Sequence, residues 1–138
     1  MRFLLTLLLV ISSSLLIFSQ NDSSDCSHLY LKLFGNNSQC IWVEKLPEII
    51  GGLDSLQRKL IYPKEALYNN IEGKVYVKAL IDTLGNPICT EVVKGIGFGC
   101  NEEAIRLIQM ARFTPAIQRN KKVTIPIIIP IRFNLPEK

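Results

Sequence analysis

The chain has 138 residues, a length that holds one folded domain together with a targeting segment. Its composition, 48% hydrophobic and 20% charged, is that of a globular protein and excludes a disordered or fibrous one. The net charge of +4 is spread among interspersed acidic residues, and no basic run is interleaved with aromatic residues, which argues against a nucleic acid partner.

The N-terminus has the pattern of a secretory signal. Arg2 precedes an apolar run that contains Thr6 and three serines, and a polar stretch follows from Gln20. The run is shorter than the ~20 apolar residues that span a bilayer, so we predict a signal peptide over residues 1–20, with a short membrane anchor as the alternative. Residues 21–46 are predicted to be an N-terminal extension or linker, and residues 47–138 the folded domain.

Four cysteines follow the signal: Cys26, Cys40, Cys89 and Cys100. They allow three complete pairings, between which the sequence does not decide. In an oxidising compartment the short-loop options are Cys26 with Cys40 and Cys89 with Cys100, each stabilising by about 2 to 4 kcal/mol. Free buried thiols are the alternative. The chain has no Cys-x-x-Cys and His28 is its only histidine, so no metal site and no cofactor are predicted.

A short helix and a β-hairpin are predicted in the first half of the domain. Leu53, Leu56 and Leu60 have helical spacing, with Asp54 or Ser55 placed to cap. Residues 74–81 alternate between apolar and polar side chains, which predicts a half-buried strand. A turn over residues 82–87 joins it to a second strand over residues 88–94.

A second helix is predicted to begin at Asn101, which is placed to cap, with Glu102 and Glu103 in its first turn. It ends before Pro115 and has an apolar stripe formed by Ala104, Leu107, Ile108 and Ala111. The glycines before it lack the Gly-Lys-Ser/Thr sequence of a phosphate-binding loop.

The last predicted strand, over residues 123–133, contains Pro126 and Pro130. Alternate residues of a strand direct their N–H groups to the same side, and both prolines have even numbers. The odd-numbered residues therefore pair fully with a neighbour, while the even side keeps only Thr124, Ile128 and Arg132 as donors. This pattern predicts an edge strand.

The predicted fold is α+β, with a three-stranded sheet and two helices on one face. A strand, an 11-residue helix and another strand return the chain parallel to the second strand. The first strand fits between these two parallel strands, antiparallel to both. We therefore expect the order 3-1-2.

Seven short motifs occur in order from Pro47 onward. They are Pro47-Glu48-Ile49-Ile50-Gly51-Gly52, Tyr62-Pro63-x-x-Ala66, Gly73-Lys74-Val75-Tyr76-Val77, Asp82-x-x-Gly85, Glu103-Ala104-x-Arg106, Phe113-Thr114-Pro115-Ala116 and Pro130-Ile131-Arg132-Phe133. Together they resemble the TonB C-terminal domain, in the form that the energy transducer TonB has in Bacteroidetes-like bacteria, over about residues 47–135.

The resemblance implies a periplasmic domain that binds outer-membrane TonB-dependent receptors, or other envelope proteins, by edge-strand addition in transmembrane transport. The implied partner-binding residues are Lys122, Thr124, Ile128 and Arg132. The membrane is a partner only if the N-terminal segment is retained. Residues 21–46 reach less than about 90 Å even when fully extended, which is short for the periplasmic spacer of an energy transducer.

The alternative hypothesis is a structural or inhibitory envelope domain that self-associates into a homodimer without transducing energy. An enzyme is not predicted, because no Ser/His/Asp set is available and the acidic residues at positions 102 and 103 are explained by the start of a helix.

Overall fold

The computed structural model describes residues 23–36 and 42–137, so the predicted signal peptide and Cys40 lie outside the described residues. Among the described residues, no helix has the length and apolarity needed to cross a membrane. The helices are α1 (Ser23–Phe34), α2 (Gly52–Gln57), α3 (Lys64–Tyr68) and α4 (Cys100–Met110). The strands are β1 (Gly73–Ile81), β2 (Pro87–Lys94), β3 (Ala116–Gln118), β4 (Lys121–Val123) and β5 (Ile125–Phe133).

The main sheet has three strands in the order β2-β1-β5, with β1 antiparallel to both neighbours. The first strand is thus central and the last strand lies at an edge, which confirms the predicted α+β fold and strand order. A separate two-stranded hairpin is formed by β3 and β4.

The core lies between one face of this sheet and helices α2, α3 and α4. The odd-numbered side chains of β1 point to this face, as the alternation predicts, and Val75 and Val77 are fully buried there. Leu107 and Ile108 of α4 pack against them. A fully buried aliphatic side chain contributes about 1.5 to 3 kcal/mol, so this layer is the main source of stability.

Helix α1 packs against the opposite face of the sheet, where no helix is predicted by the sequence. Lys78 of β1 places its Nζ 3.9 Å from the centroid of the Tyr30 ring. Leu80, which points to the same face, is fully buried. Burial and the charge of Glu91 raise the pKa of Tyr30 to about 12. Cys26, Leu29, Tyr30 and Phe34 have the i, i+3, i+4, i+8 spacing of a helix face, a signal that the prediction of an extension or linker over residues 21–46 does not use.

A disulfide joins Cys26 of α1 to Cys89 of β2, with their Cα atoms 5.7 Å apart. Neither of the short-loop options, Cys26 with Cys40 and Cys89 with Cys100, is therefore formed. Cys89 lies opposite Leu80 in the ladder and so points to the α1 face. Cys100 is a free thiol on the other side of the sheet, fully buried in the core, where burial and then the charge of Glu102 raise its pKa.

Both predicted helix caps are replaced by glycines in the left-handed conformation. Gly51 precedes α2 with φ 89° and Gly99 precedes α4 with φ 82°, and neither helix has a side-chain cap. Asn101 lies inside α4. Its Oδ1 accepts hydrogen bonds from the N–H groups of Ile96, at 3.1 Å, and Gly97, at 3.3 Å, and so fixes the loop before the helix.

The predicted last strand is interrupted at Thr124. Residues before it turn back in the β3–β4 hairpin, whose turn residues Arg119 and Asn120 have φ 48° and 60°. Two consecutive left-handed residues suit a tight hairpin, and they carry Lys122 away from the main sheet. Lys122 pairs with Ile117 on β3.

Glu103 links α4 to the loop before α3 through hydrogen bonds. Its carboxylate, 8% exposed, accepts hydrogen bonds from Ile61 N–H at 2.7 Å and from Arg106 at 2.7 and 2.6 Å. Arg106 also donates to the carbonyl of Lys59 at 3.1 Å. Burial by itself would raise the pKa of Glu103, but these hydrogen bonds and the charge of Arg106 outweigh it and lower that pKa.

We expect Glu103 to contribute an acid-sensitive part of the stability. Because its pKa is lowered by folding, its contribution is complete above the ordinary glutamate pKa of about 4.3 and is lost as pH falls through the lower folded value. Urea midpoints measured against pH should therefore fall more steeply for the wild type than for Glu103→Gln. Glu102→Gln, at the exposed neighbouring position, is the control and should retain the wild-type steepness. Parallel curves for wild type and Glu103→Gln would contradict this role.

Candidate functional site

The outer edge of β5 has no partner strand among the described residues. On its inner side, the odd-numbered residues Ile127 and Ile129 lie opposite Ala79 and Val77 of β1. The prolines alternate with these positions, so they remove no donor from the ladder with β1. The predicted edge position of this strand is confirmed.

The free edge is rich in hydrogen-bond acceptors and poor in donors. Over its middle stretch, the carbonyl groups of Pro126, Ile128 and Pro130 point outward. Only Ile128 adds an outward N–H, because proline has none. The Ile128 residue is 58% exposed. A segment that adds here must therefore donate more hydrogen bonds than it accepts.

The two ends of this edge differ from its middle. At one end, the side chain of Gln57 in α2 donates a hydrogen bond to the carbonyl of Arg132. At the other end, half-buried Thr124 lies between β4 and β5. The structure thus brings Thr124, Ile128 and Arg132 to one edge and places Lys122 on the hairpin. Their role in partner binding stays a prediction.

An apolar groove of about 490 Å³ runs beside the middle of this edge. Residues 46–49 form one wall and residues 127–130 form the other, with Leu53 and Phe113 completing the lining. Ile127 and Ile129 face it from the core side of the sheet. Sequence reasoning missed the groove, because its walls come from segments about 80 residues apart and no local pattern connects them.

The wall formed by residues 46–49 is held by a second chain segment. Glu48 donates its N–H to the Thr114 hydroxyl at 3.0 Å, and Thr114 N–H donates to the Glu48 carbonyl at 2.8 Å. Ile50 N–H donates to the Arg112 carbonyl at 2.8 Å, and Ile49 forms a bridge with Phe113. Two of the motifs noted in the sequence, at residues 47–52 and 113–116, therefore meet at this wall.

Of the described residues that line the groove, Glu48 alone is charged. The only salt bridge among the described residues joins Glu103 to Arg106, so Glu48 has no basic side chain within ion-pair distance in this part of the chain. The rest of the lining is apolar. The site as a whole can bind an extended segment through its backbone, accept apolar side chains beside it and attract a cation at one point.

Comparison with known proteins agrees with this arrangement. None of the curated proteins searched matches the chain. The model of the family described as Gram-negative bacterial TonB protein C-terminal matches residues 58–135, which is more than half of the chain and includes the whole main sheet and α4. The resemblance found in the sequence is confirmed, and the chain belongs to the TonB C-terminal family.

Proposed function

We propose that this domain binds an extended segment of an outer-membrane TonB-dependent receptor, or of another envelope protein, as a fourth strand on the free edge of β5. The family is one of envelope-associated protein-interaction domains in transport, and its members act by binding and not by catalysis. The observation that carries the proposal is the outer edge of β5, which has an outward Ile128 N–H and pairs with no strand in the part of the chain that the structure describes.

Strand addition supplies affinity through main-chain hydrogen bonds and selectivity through neighbouring side-chain pockets. Each backbone hydrogen bond contributes about 0.5 to 1.5 kcal/mol net. The middle of this edge offers three acceptors and one donor, so backbone pairing alone gives modest affinity. The side chains of the bound segment must then contribute a large share.

The proposed location is the periplasm, which the apolar N-terminal segment and the disulfide between Cys26 and Cys89 both support. In that compartment the edge of β5 is accessible to the periplasmic ends of outer-membrane proteins. No cofactor is required for such binding.

Ile128→Pro is the sharpest test of this binding mode. It removes the one outward N–H in the middle of the edge, yet it preserves the ladder with β1, because position 128 has the same parity as the two native prolines. We expect the variant to fold and to bind the added strand about two- to tenfold more weakly, the value of one lost hydrogen bond. Ile128→Val keeps the N–H and should bind as the wild type does. Ile129→Pro would remove an inward N–H, and we expect it to unfold the domain.

The measurement is photo-crosslinking with the full chain carrying a benzoylphenylalanine at position 124. After irradiation with outer-membrane extract, mass spectrometry identifies the crosslinked protein and peptide. The expected product is the N-terminal segment of a TonB-dependent receptor, at high yield for Ile128→Val and at low yield for Ile128→Pro. Equal yields for these two variants, or products that contain no such receptor or other envelope protein, would overturn the proposal.

A further inference from the structure

We infer that the groove beside β5 selects a segment with apolar side chains at two alternate positions, i and i+2, and a basic residue next to Glu48. This inference rests on the proposed strand addition and specifies what that addition recognises. It names the occupant of the groove as an extended apolar and cationic peptide of another protein.

The alternation follows from the geometry of the sheet. Residues directly opposite each other on neighbouring strands point to the same face. Ile127 and Ile129 face the groove, so the added residues opposite them face it as well. Two such residues lie about 6.6 Å apart along the strand, and the residue between them points away from the groove. Apolar side chains at i and i+1 cannot both enter.

The apolar requirement follows from the lining. Leu46 is 60% exposed at the rim, whereas Phe113 is 2% exposed and fixed in the core. The groove thus offers an accessible apolar surface on a rigid base. Its volume of about 490 Å³ exceeds what one aliphatic side chain fills, which agrees with two side chains from one strand.

The preference for a basic residue in the bound segment follows from the negative charge of Glu48 at the rim of the groove. Glu48 is exposed and lies on the wall opposite β5, and its backbone is fixed on Thr114. A lysine or arginine of the added segment would meet an isolated carboxylate there. Such a contact adds discrimination against acidic segments more than it adds affinity.

The test uses two blocked, fluorescein-labelled nine-residue peptides of identical composition: threonines, one N-terminal lysine and two leucines. The leucines stand at alternate positions in one peptide and at adjacent positions in the other. Fluorescence anisotropy with the full chain should show the alternate peptide binding at least about tenfold more tightly. Leu46→Ser should reduce this ratio. Leu84→Ser, the same substitution at another exposed leucine, in the β1–β2 turn, should leave it unchanged.

A second pair of measurements tests the charge. Glu48→Gln should weaken binding of the lysine-containing peptide by a few-fold and should reduce its dependence on salt. It should have no effect on a matched peptide in which glutamine replaces the lysine. Equal effects on both peptides would overturn the assignment of Glu48.

The outcomes separate this inference from the proposed function. If both leucine peptides bind equally and Ile128→Pro weakens both, strand addition stands and the groove has no selective role. If Ile128→Pro leaves peptide binding intact, both proposals fail. If sedimentation shows a dimer at micromolar concentration that Leu46→Ser converts to a monomer, a second copy occupies the groove and the inference is overturned.

Discussion

Replacing Gly85 with alanine should destabilise the domain by more than about 3 kcal/mol. Gly85 lies in the β1–β2 turn with φ 80°, a conformation that costs about 1 to 2 kcal/mol for other residues. A Cβ there would also lie 1.8 Å from the Phe113 carbonyl oxygen, which is backbone and cannot rotate away. Phe113 N–H donates to the Gly85 carbonyl at 2.9 Å, so any shift also breaks this hydrogen bond.

Gly97→Ala is the matched control. Gly97 also has a left-handed φ, 71°, but a Cβ there would meet no atom within 4 Å. Gly97→Ala should lower the free energy of unfolding only by the cost of the left-handed conformation, about 1 to 2 kcal/mol. Urea unfolding of both variants measures the difference, which reports the close approach between the turn and Phe113. Equal destabilisation by the two substitutions would show that this approach contributes nothing.

Removing the disulfide between α1 and β2 should cost about 4 kcal/mol, because the bond closes a loop across 63 residues of sequence. We expect the double variant Cys26→Ser/Cys89→Ser to lower the free energy of unfolding by this amount. Amide hydrogens of α1 should then exchange rapidly, since the helix keeps only packing contacts such as that between Tyr30 and Lys78. The amides of α4, on the other face, should remain the best protected.

Reduction provides the control for this second prediction. A dithiol reductant should lower the stability of the wild type to that of the double variant and should leave the double variant unchanged. Cys100 is already a free thiol, so its state does not differ between the two conditions. A wild type that is insensitive to reduction while α1 stays protected would show that packing alone holds the helix.

The parts of the fold that could be predicted are those determined by neighbours in sequence. The alternation in β1 predicted its buried face, and the parity of Pro126 and Pro130 predicted an edge, because proline lacks an N–H wherever it stands. The position of α1 could not be predicted. It depends on contacts with side chains about 50 to 60 residues further along the chain, which are that of Tyr30 with Lys78 and the disulfide of Cys26 with Cys89.

The candidate site also has features that the sequence could predict and features that it could not. The exposed donor of Ile128 follows from covalent chemistry and could be predicted. The sequence could not predict that the Arg132 carbonyl already accepts a hydrogen bond, because its donor, Gln57, lies 75 residues earlier in the chain. Lys122 lies off the main sheet because of a tight turn at Arg119 and Asn120. Asparagine favours a left-handed backbone but arginine does not, so the pair has no clear turn signature in the sequence.

The outer edge of β5 has more hydrogen-bond acceptors than donors, and this imbalance also affects how two copies of the protein can pair. If two such strands were paired in antiparallel orientation about Ile128, each Pro126 carbonyl would face the ring nitrogen of the partner's Pro130, which carries no hydrogen to donate. Only the central isoleucines would satisfy one another. Two copies of the β5 edge therefore pair poorly with each other. The edge that is open to a peptide of another protein thus disfavours edge-to-edge aggregation of this protein into fibrils.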